Sequence, residues 1–297
     1  MPKIVAIVVS YYPDESDLLN LCEAIKGQVH KIFVVDNTPN QLSFLNDYTE
    51  LNVNCFHLQE NMGIAYAQNF GIKEALNEGF TDFLLLDQDS TPLPDMVEKL
   101  LATRSSAEIE GIRVGAVGPQ QVDLHRNDLL TPFVCLNGHK IELIYNSSKT
   151  YCETCFLIAS GCLISAEALK SIGYKEEDLF IDCVDLEWGF RATSKGFSCI
   201  GSFQAKLNHE LGDIPLKVFG RELTYHSPLR HYYFYRNFYF LLRRNYVPTT
   251  WKIHVLFKSS MQAFIFSLFS REPVAQVKMI FKGVCHGLIG KMGKYEE

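Results

Sequence analysis

The sequence predicts an α/β protein with a mostly parallel central sheet flanked by helices, and three observations support this prediction. Apolar runs rich in β-branched residues alternate with helical patterns from Ile4 to Ile200. The run 83–86 contains no polar residue, as expected of a strand that is covered on both faces. Hydrophobic residues make up 47% of the 297 residues, which is enough for a sizeable core.

The order of the elements follows from the periodicity of the apolar residues. Strands are predicted at residues 4–9, 32–35, 53–58, 83–86, 114–119 and 197–200. Helices are predicted at residues 17–26, 64–78, from Pro94 to about Arg104, 166–172 and 183–195. Residues 120–150 are polar and irregular and predict a long loop with a hairpin, whereas residues 156–165 predict a strand or a tight turn.

The composition divides the chain into an acidic body, residues 1–220, and a basic, aromatic and helical region, residues 221–297. The second region holds 12 Lys and Arg against four Asp and Glu, a net charge of +8, whereas the first carries −14. Such an asymmetry predicts an anionic surface as a partner of the basic region. The sequence shows no apolar stretch of spanning length and no signal-peptide pattern, so we expect a cytoplasmic protein.

Nine cysteines, an odd number, suit a reducing compartment. Cys152 and Cys155 form one Cys-x-x-Cys pair without a second pair at zinc-site spacing. We therefore expect buried thiols rather than a metal or redox site.

Two carboxylates follow the apolar run 83–86. Asp87 and Asp89 are spaced i, i+2, so both face the same side of an extended segment. Ligands of open α/β sheets bind outside the carboxyl ends of the strands, and two nearby anions repel each other unless a cation lies between them. A hard divalent cation fits because it prefers oxygen ligands and shares them with substrate phosphates. The alternative is an acidic turn that caps the helix beginning near Pro94.

Two further segments bring polar residues to the same edge of the sheet. Asp36 ends the second predicted strand, where a carboxylate can accept from a nucleobase or a ribose; the alternative is a turn-forming Asp-Asn pair. Asn61 and Gly63 precede a helix that carries Asn69. Gly63 allows close approach of a ligand to the backbone, and a helix N-terminus attracts phosphate; the alternative is simple capping by Asn61.

The helix 183–195 and the segment after the last predicted strand supply further candidates. Asp185 lies near the helix start, where it can act as a general base towards a docked hydroxyl. Trp188 offers a flat face for a sugar ring, or else packs in the core as part of an amphipathic helix. His209 is either structural or a nitrogen ligand of Mg²⁺ or Mn²⁺.

In this order and spacing, the motifs resemble those of the inverting family 2 glycosyltransferases with the GT-A fold, which has a Rossmann-like sheet. The closest resemblance is to bacterial rhamnosyltransferases of O-antigen and capsule polysaccharide assembly, and it covers roughly residues 3–245. The matching positions are residues 7–11, 34–37, 61–63, Asn69, Gly71, 87–89, Gly161, 185–191 and His209.

The resemblance implies a role for each candidate. Asp185 would be the catalytic base, and Asp87, Asp89 and His209 would bind Mg²⁺ or Mn²⁺. The donor nucleotide would contact Ser10, Tyr11, Asp36, Asn61, Gly63, Asn69, Asp87 and Gln88, and the acceptor would contact Gly161, Glu187 and Trp188. Gln88 between the aspartates, and Cys183 with Val184 before the base, depart from the broad family and leave the donor to the narrower resemblance.

The implied reaction transfers L-rhamnose from dTDP-L-rhamnose to a saccharide acceptor, in particular a lipid-linked oligosaccharide, with a hexose or galactofuranose donor as the alternative. A nucleotidyltransferase would share a carboxylate–metal site but needs a basic loop that grips a triphosphate, whereas residues 10–17 contain no Lys or Arg. A carbohydrate-binding module would not need Asp87, Asp89, Asp185 and His209 together. No nucleic-acid partner is indicated.

The basic region has a second consequence. Residues 253–269 are apolar with Lys258 and Gln262 among them, and further lysines follow. Basic amphipathic helices lie on anionic membranes, so we expect peripheral contact with the inner face of the cell membrane. The alternative is a helical cap on the sheet or a homodimer interface.

Overall fold

The computed structural model describes residues 2–40, 52–123, 129–209, 216–218, 221–223 and 226–296, and the side chains of His209, 216–218 and 221–223 lie outside this description. Its strands are β1 Ile4–Ser10, β2 Lys31–Asp36, β3 Val53–His57, β4 Asp82–Asp87, β5 Ser90–Pro92, β6 Val114–Asp123, β7 Leu129–Leu130, β8 Phe133–Asn137, β9 Lys140–Ile144, β10 Tyr151–Thr154, β11 Cys162–Ser165, β12 Ser198–His209, β13 Leu216–Val218 and β14 Arg221–Leu223. Its helices are α1 Glu15–Ile25, α2 Ile64–Asn77, α3 Met96–Ile109, α4 Ala166–Ile172, α5 Val184–Ser194, α6 Pro228–Leu241, α7 Thr249–Phe269 and α8 Pro273–Ile289.

The central sheet is mostly parallel, with strand order β10-β12-β6-β11-β4-β1-β2-β3. Strands β4, β1, β2 and β3 run parallel to one another, as do β6 and β12. Strand β11 is antiparallel to both its neighbours and joins the two parallel groups. The short β5 pairs with β12 next to the end of β4, and β8 with β9 forms a separate hairpin.

The register of the parallel strands places the predicted site residues at one edge. Ser10 is opposite Asp36 in the β1–β2 pair, and Val9 is opposite Asp87 in the β1–β4 pair. Because alternate residues of a central strand face opposite sides, each strand contributes to two cores. One core lies under α1 and α3, the other under α2, α4 and α5.

The α/β architecture predicted from the sequence is confirmed, and the errors concern the lengths of two strands and short strands, such as β5 and β10, that the sequence does not predict. Strand β6 continues to Asp123 and β12 to His209, because polar residues that looked like loop pair across the two strands. The hairpin expected within 120–150 is β8–β9. All nine cysteines have free thiols, and Cys155 is buried while Cys152 is half-buried.

The C-terminal helices pack on the body and on one another. Helix α6 packs along α8, and α7 contacts α8. Trp251 of α7 contacts Phe190 of α5 and Phe238 of α6 with edge-to-face rings. Among the described helices, none has the length and apolarity that a membrane crossing requires.

Candidate active site

Asp87 and Asp89 lie at the carboxyl end of β4, at the edge where the sequence placed them. The Asp87 side chain is half-buried and that of Asp89 is exposed. Burial, followed by the charges of Asp89 and Asp185, raises the pKa of Asp87 to about 7, while Arg230 at the start of α6 acts in the opposite direction. The structure therefore brings three predicted carboxylates, from β4 and α5, into one electrostatic cluster.

Gln88 connects this cluster to the loop after β1. Its side-chain oxygen accepts a hydrogen bond from the backbone N–H of Tyr11 at 2.7 Å. The Tyr11 ring is exposed and lies edge-to-face against Tyr12. Two residues expected to contact the donor thus lie side by side at the ends of β1 and β4.

Asp36 is fully buried at the end of β2, and the protein itself occupies both of its oxygens. Oδ1 accepts from the Ser10 hydroxyl and from the backbone and hydroxyl of Thr38, and Oδ2 lies 3.1 Å from His57 Nδ1. The role of Asp36 in binding a nucleobase stays a prediction. In this arrangement the carboxylate fixes the loops after β1 and β2 and the end of β3.

The segment before α2 is fixed by amide side chains. Asn61 accepts from the Gly63 N–H at 3.0 Å and from the Asn37 amide at 3.1 Å. Gly63 has a φ of +86°, and a Cβ there would lie 2.6 Å from the Phe180 carbonyl oxygen, to which the Ile64 N–H donates. The close approach that requires glycine is therefore to the loop before α5. Donor binding by Asn61 and Gly63 stays a prediction.

Asn69 is also fully buried and binds another loop. Its oxygen accepts from the Lys175 N–H at 3.0 Å, and its amide donates to the Lys175 carbonyl at 2.9 Å and to Glu177 at 2.8 Å. Asn69 therefore supports the Lys175 loop, and its expected contact with the donor stays a prediction.

Asp185 lies in the first turn of α5 with both oxygens held. Oδ2 accepts from the Ala159 N–H at 2.8 Å, and Oδ1 accepts from the Lys175 ammonium at 2.8 Å. The lysine side chain is 2% exposed and that of the aspartate 22%. The carboxylate is therefore partly exposed, while both of its oxygens are held by hydrogen bonds from the protein.

The loop before α5 has an unusual backbone. Phe180, Asp182 and Cys183 all have φ near +60°, which costs a residue other than glycine on the order of 1 kcal/mol. Helix α6 holds this loop: Asn237 donates to three carbonyl oxygens of residues 179–182, and Arg230 pairs with Asp182 at 3.5 Å. Helix α6 is thus part of the site's support, and the domain boundary near residue 220 stays a prediction.

The three residues expected at the acceptor are enclosed. Trp188 is 2% exposed and donates from its indole to the Gly173 carbonyl, so it packs in the core as the alternative interpretation had it. Glu187 is fully buried between Arg191 and Tyr246, and a Cβ at Gly161 would clash with Pro119. Burial corrects the open sugar platform expected of the Trp188 ring, and direct contacts by Gly161 and Glu187 stay predictions.

An apolar groove lies beside the segment that carries Ala159. Its lining includes Pro119, Phe133, Phe156, Leu157 and Ile158. The groove continues to Ser160, whose hydroxyl contacts that of Ser90 after β4. No periodic pattern in the sequence predicts this groove, because its lining comes from three separate segments.

The donor chemistry of the cluster fits a divalent cation. Asp87 and Asp89 supply oxygen ligands, and a cation between them would relieve the repulsion that, after burial, contributes to the raised pKa of Asp87. Among the described side chains, which exclude that of His209, no three potential ligands lie close enough to hold a metal ion. The backbone of His209 pairs with Ser90, three residues after Asp87.

Lys175 is the residue that sequence reasoning missed. It carries no motif, and a lysine in a loop is ordinarily exposed. The one local signal is a single cation before the acidic run Glu176, Glu177 and Asp178, ten residues ahead of Asp185. Arg230 is one of the 12 cations of the basic region, and no sequence pattern connects it with Asp87.

Comparisons with known proteins agree with this architecture. The family model for glycosyl transferase family 2 matches residues 6–173, more than half of the chain, and includes β4 with Asp87 and Asp89. The dTDP-rhamnosyl transferase RfbF of Shigella flexneri is 29% identical over 296 residues, which are 98% of this chain and 97% of the relative.

Solved structures show the same fold at low identity. The structure of GalNAc-T7 with UDP, GalNAc and Mn²⁺ superposes with a TM-score of 0.63 at 12% identity, covering 97% of this chain and 56% of that one. S. aureus TarS 1-349 in complex with UDP-GlcNAc gives 0.56 at 16% identity, covering 96% and 81%. The chain therefore belongs to glycosyl transferase family 2, has the GT-A fold and is a glycosyltransferase.

Proposed function

We propose that the chain transfers L-rhamnose from dTDP-L-rhamnose to a saccharide acceptor with inversion at the anomeric carbon. The observation that carries the proposal is the convergence of Asp185 on Asp87 and Asp89, which combines a base with a diphosphate site. The likeness to a dTDP-rhamnosyl transferase over nearly the whole chain supports rhamnose as the donor sugar.

The cation in this proposal is Mg²⁺ or Mn²⁺, held by Asp87 and Asp89 with His209 as the third predicted ligand. When bound, such an ion neutralises charge on the leaving nucleoside diphosphate. The Mn²⁺ in the GalNAc-T7 structure supports divalent metal use in this fold. Arg230, which acts on Asp87 from the start of α6, adds a fixed cation on the same side.

Asp185 supplies the proton acceptor. An acceptor hydroxyl docked against its open side loses its proton to the carboxylate as the oxygen forms a bond to the anomeric carbon. The bond between that carbon and the diphosphate breaks on the opposite face, so a single displacement inverts the centre. No covalent enzyme intermediate is required, and Asp185 ends the step protonated.

The apolar groove beside Ala159 is the proposed acceptor side. Its Phe156 and Ile158 continue from the segment whose backbone holds Asp185, so a molecule in the groove lies next to the base. Apolar and aromatic walls suit the less polar faces of a saccharide.

A donor panel tests the proposal. Purified protein with Mn²⁺ is incubated with dTDP-L-rhamnose, a nucleotide-linked hexose and UDP-galactofuranose, and nucleotide release and thermal protection are measured. We expect the largest protection and release with dTDP-L-rhamnose. Preference for another sugar would establish the alternative donor, and loss of all release in Asp185→Asn would link the signal to this site.

We propose further that a lipid-linked acceptor is met at an anionic membrane, through the outer face of α7 and α8. Phe257, Phe264 and Phe281 on this face are 73%, 66% and 70% exposed. The other exposed apolar residues of the two helices are Ile253, Leu256, Met261, Leu268, Phe269, Val274, Val277, Leu288 and Ile289. Large exposed apolar patches are uncommon on soluble monomers and mark sites of contact with a membrane or with another protein.

Charge favours a lipid surface over a second protein copy on this face. Exposed Lys258 and Lys278 lie among the apolar residues, and Lys291 and Lys294 follow α8. Each cation near an anionic membrane contributes on the order of 1 kcal/mol, and a second copy would bring the same positive charges together. Location at the inner face of the cell membrane stays a prediction.

Point substitutions test this face better than truncation, because Trp251 and α8 pack against the body. The combined variant Phe257→Ser, Phe264→Ser, Phe281→Ser should lose most co-sedimentation with phosphatidylglycerol vesicles at high salt. Ile109→Ser on α3 is the matched control, since Ile109 is also exposed. Equal sedimentation of the triple variant would contradict the proposal, and dimerisation by light scattering would favour a second copy instead.

A further inference from the structure

Lys175 forms an ion pair with Asp185, in which the lysine is buried and the aspartate is partly exposed. Its ammonium lies 2.8 Å from Asp185 Oδ1, and its side chain is 2% exposed. Burying an ammonium costs free energy unless it is paired, and the Asp185 carboxylate supplies the pairing charge. The asymmetry, with the cation enclosed and the anion open, distinguishes the pair from a surface ion pair.

The lysine is fixed at both ends. Asn69 on α2 bonds both the N–H and the carbonyl of Lys175, which sets its backbone. At the other end, the ammonium lies 5.0 Å from the centre of the buried Trp188 ring, a favourable cation–π distance. A side chain held in this way presents its charge to Asp185 at a set distance and direction.

The groups around the pair favour the charged lysine. Burial acts to lower the pKa of Lys175, but the charge of Asp185, with Cys162 and Cys199 contributing, outweighs burial and raises it. Asp87 interacts with the same Asp185 carboxylate through its like charge. The Lys175 ammonium therefore supplies an opposite charge to this group of carboxylates.

We propose that Lys175 is the positioning residue of the base: its ammonium fixes the orientation of the Asp185 carboxylate. The Ala159 N–H holds the second oxygen, so only the open side can receive the acceptor proton. This inference rests on the proposed role of Asp185. Asn69 acts one step further out, through the backbone of Lys175.

The test compares Lys175→Met, which keeps most of the side-chain length without the charge, with the matched control Lys170→Met on the exposed face of α4. Lys175→Met should lower kcat by about tenfold or more while dTDP affinity, measured by calorimetry, stays within about threefold. Lys170→Met should match the native enzyme in both quantities. A kcat within twofold of native, or equal losses of kcat and dTDP affinity, would overturn the inference.

Two further variants separate the possible failures. Lys175→Gln keeps a hydrogen-bond donor for the carboxylate, and it takes the place of Lys175→Met in the same assay if that variant does not fold. The double variant with Asp185→Asn should have the turnover of Asp185→Asn alone, because the lysine acts through the base. Multiplied losses would overturn the inference alone, whereas native turnover in Asp185→Asn would overturn both the proposed base and its positioning residue.

Discussion

Asp36 and Asp87 end the two strands that flank β1, yet their surroundings are opposite. Asp36 is fully buried and accepts hydrogen bonds from Ser10 and Thr38, with His57 at its second oxygen. Asp87 is half-buried, and its closest charged influences are two other carboxylates and Arg230. The protein satisfies the first aspartate and leaves the second with like charges.

This difference indicates what each strand end does. A buried carboxylate with several donors stabilises the loops that provide them. A carboxylate beside other carboxylates lowers stability until a ligand or cation arrives, which is typical of functional sites. We infer that Asp36 at the end of β2 stabilises the fold, whereas Asp87 at the end of β4 takes part in the reaction. Four substitutions test this difference.

Asp89→Ala should have the largest effect, because it removes a ligand from the chemical end. We expect transfer to fall by at least about a thousandfold and the divalent-dependent part of dTDP binding to disappear. Asp95→Ala, which removes a carboxylate that pairs with Lys99 at the surface, is the control. Full activity of the native enzyme in excess chelator would contradict the metal role.

Asp185→Asn should come next. The amide keeps size and polarity but cannot take the proton, so turnover should fall by roughly a hundredfold while donor binding changes within a few-fold. Steady-state kinetics with dTDP calorimetry separates the two quantities. Asp178→Asn, at an exposed position seven residues earlier, should behave as native. Lost binding with retained turnover would make Asp185 a donor residue.

The two strand ends also show what sequence can and cannot predict. Apolar runs followed by Asp36 and by Asp87 fix which residues reach the edge, because register follows from burial on both faces. The partners do not follow from local pattern: Glu187 bonds Tyr246, 59 residues away, and Asn69 bonds the Lys175 loop, 106 residues away.

The same limit explains the errors at the acceptor side. The helical periodicity is compatible with an exposed Trp188 ring and with a buried one. Only the contacts with Gly173 and Lys175 show that the ring lies in the core. In the basic region, the apolar pattern of residues 253–269 correctly predicted a helix, which is α7 in the structure. The sequence favoured an exposed face for this helix but left a buried one open, since a periodic apolar stripe is equally typical of a buried face.

Asp36→Ala tests the architectural end. It would leave the Ser10 hydroxyl, the Thr38 donors and the His57 ring without their acceptor, so we expect the free energy of unfolding to fall by about 2 kcal/mol. Urea unfolding measures this, with Asp17→Ala on the exposed face of α1 as the control. Native stability together with lost dTDP binding would instead assign Asp36 directly to the donor.

Asp87→Asn should have the smallest effect on stability, and its sign should be opposite. In metal-free protein the pKa of Asp87 is about 7 against an ordinary 3.8, so between these pH values the folded state binds the proton more tightly than the unfolded state. This contribution to stability is therefore present at low pH and is lost as pH rises through 7.

Asparagine cannot ionise, so at pH 8 in chelator the variant should be more stable than native by on the order of 1 kcal/mol, with the gap closing towards pH 5. Urea unfolding at pH 5, 6, 7 and 8 measures the gap, and Asp95→Asn should show none. A gap that does not change with pH would mean that Asp87 is already satisfied as Asp36 is, and the contrast between the two strand ends would be lost.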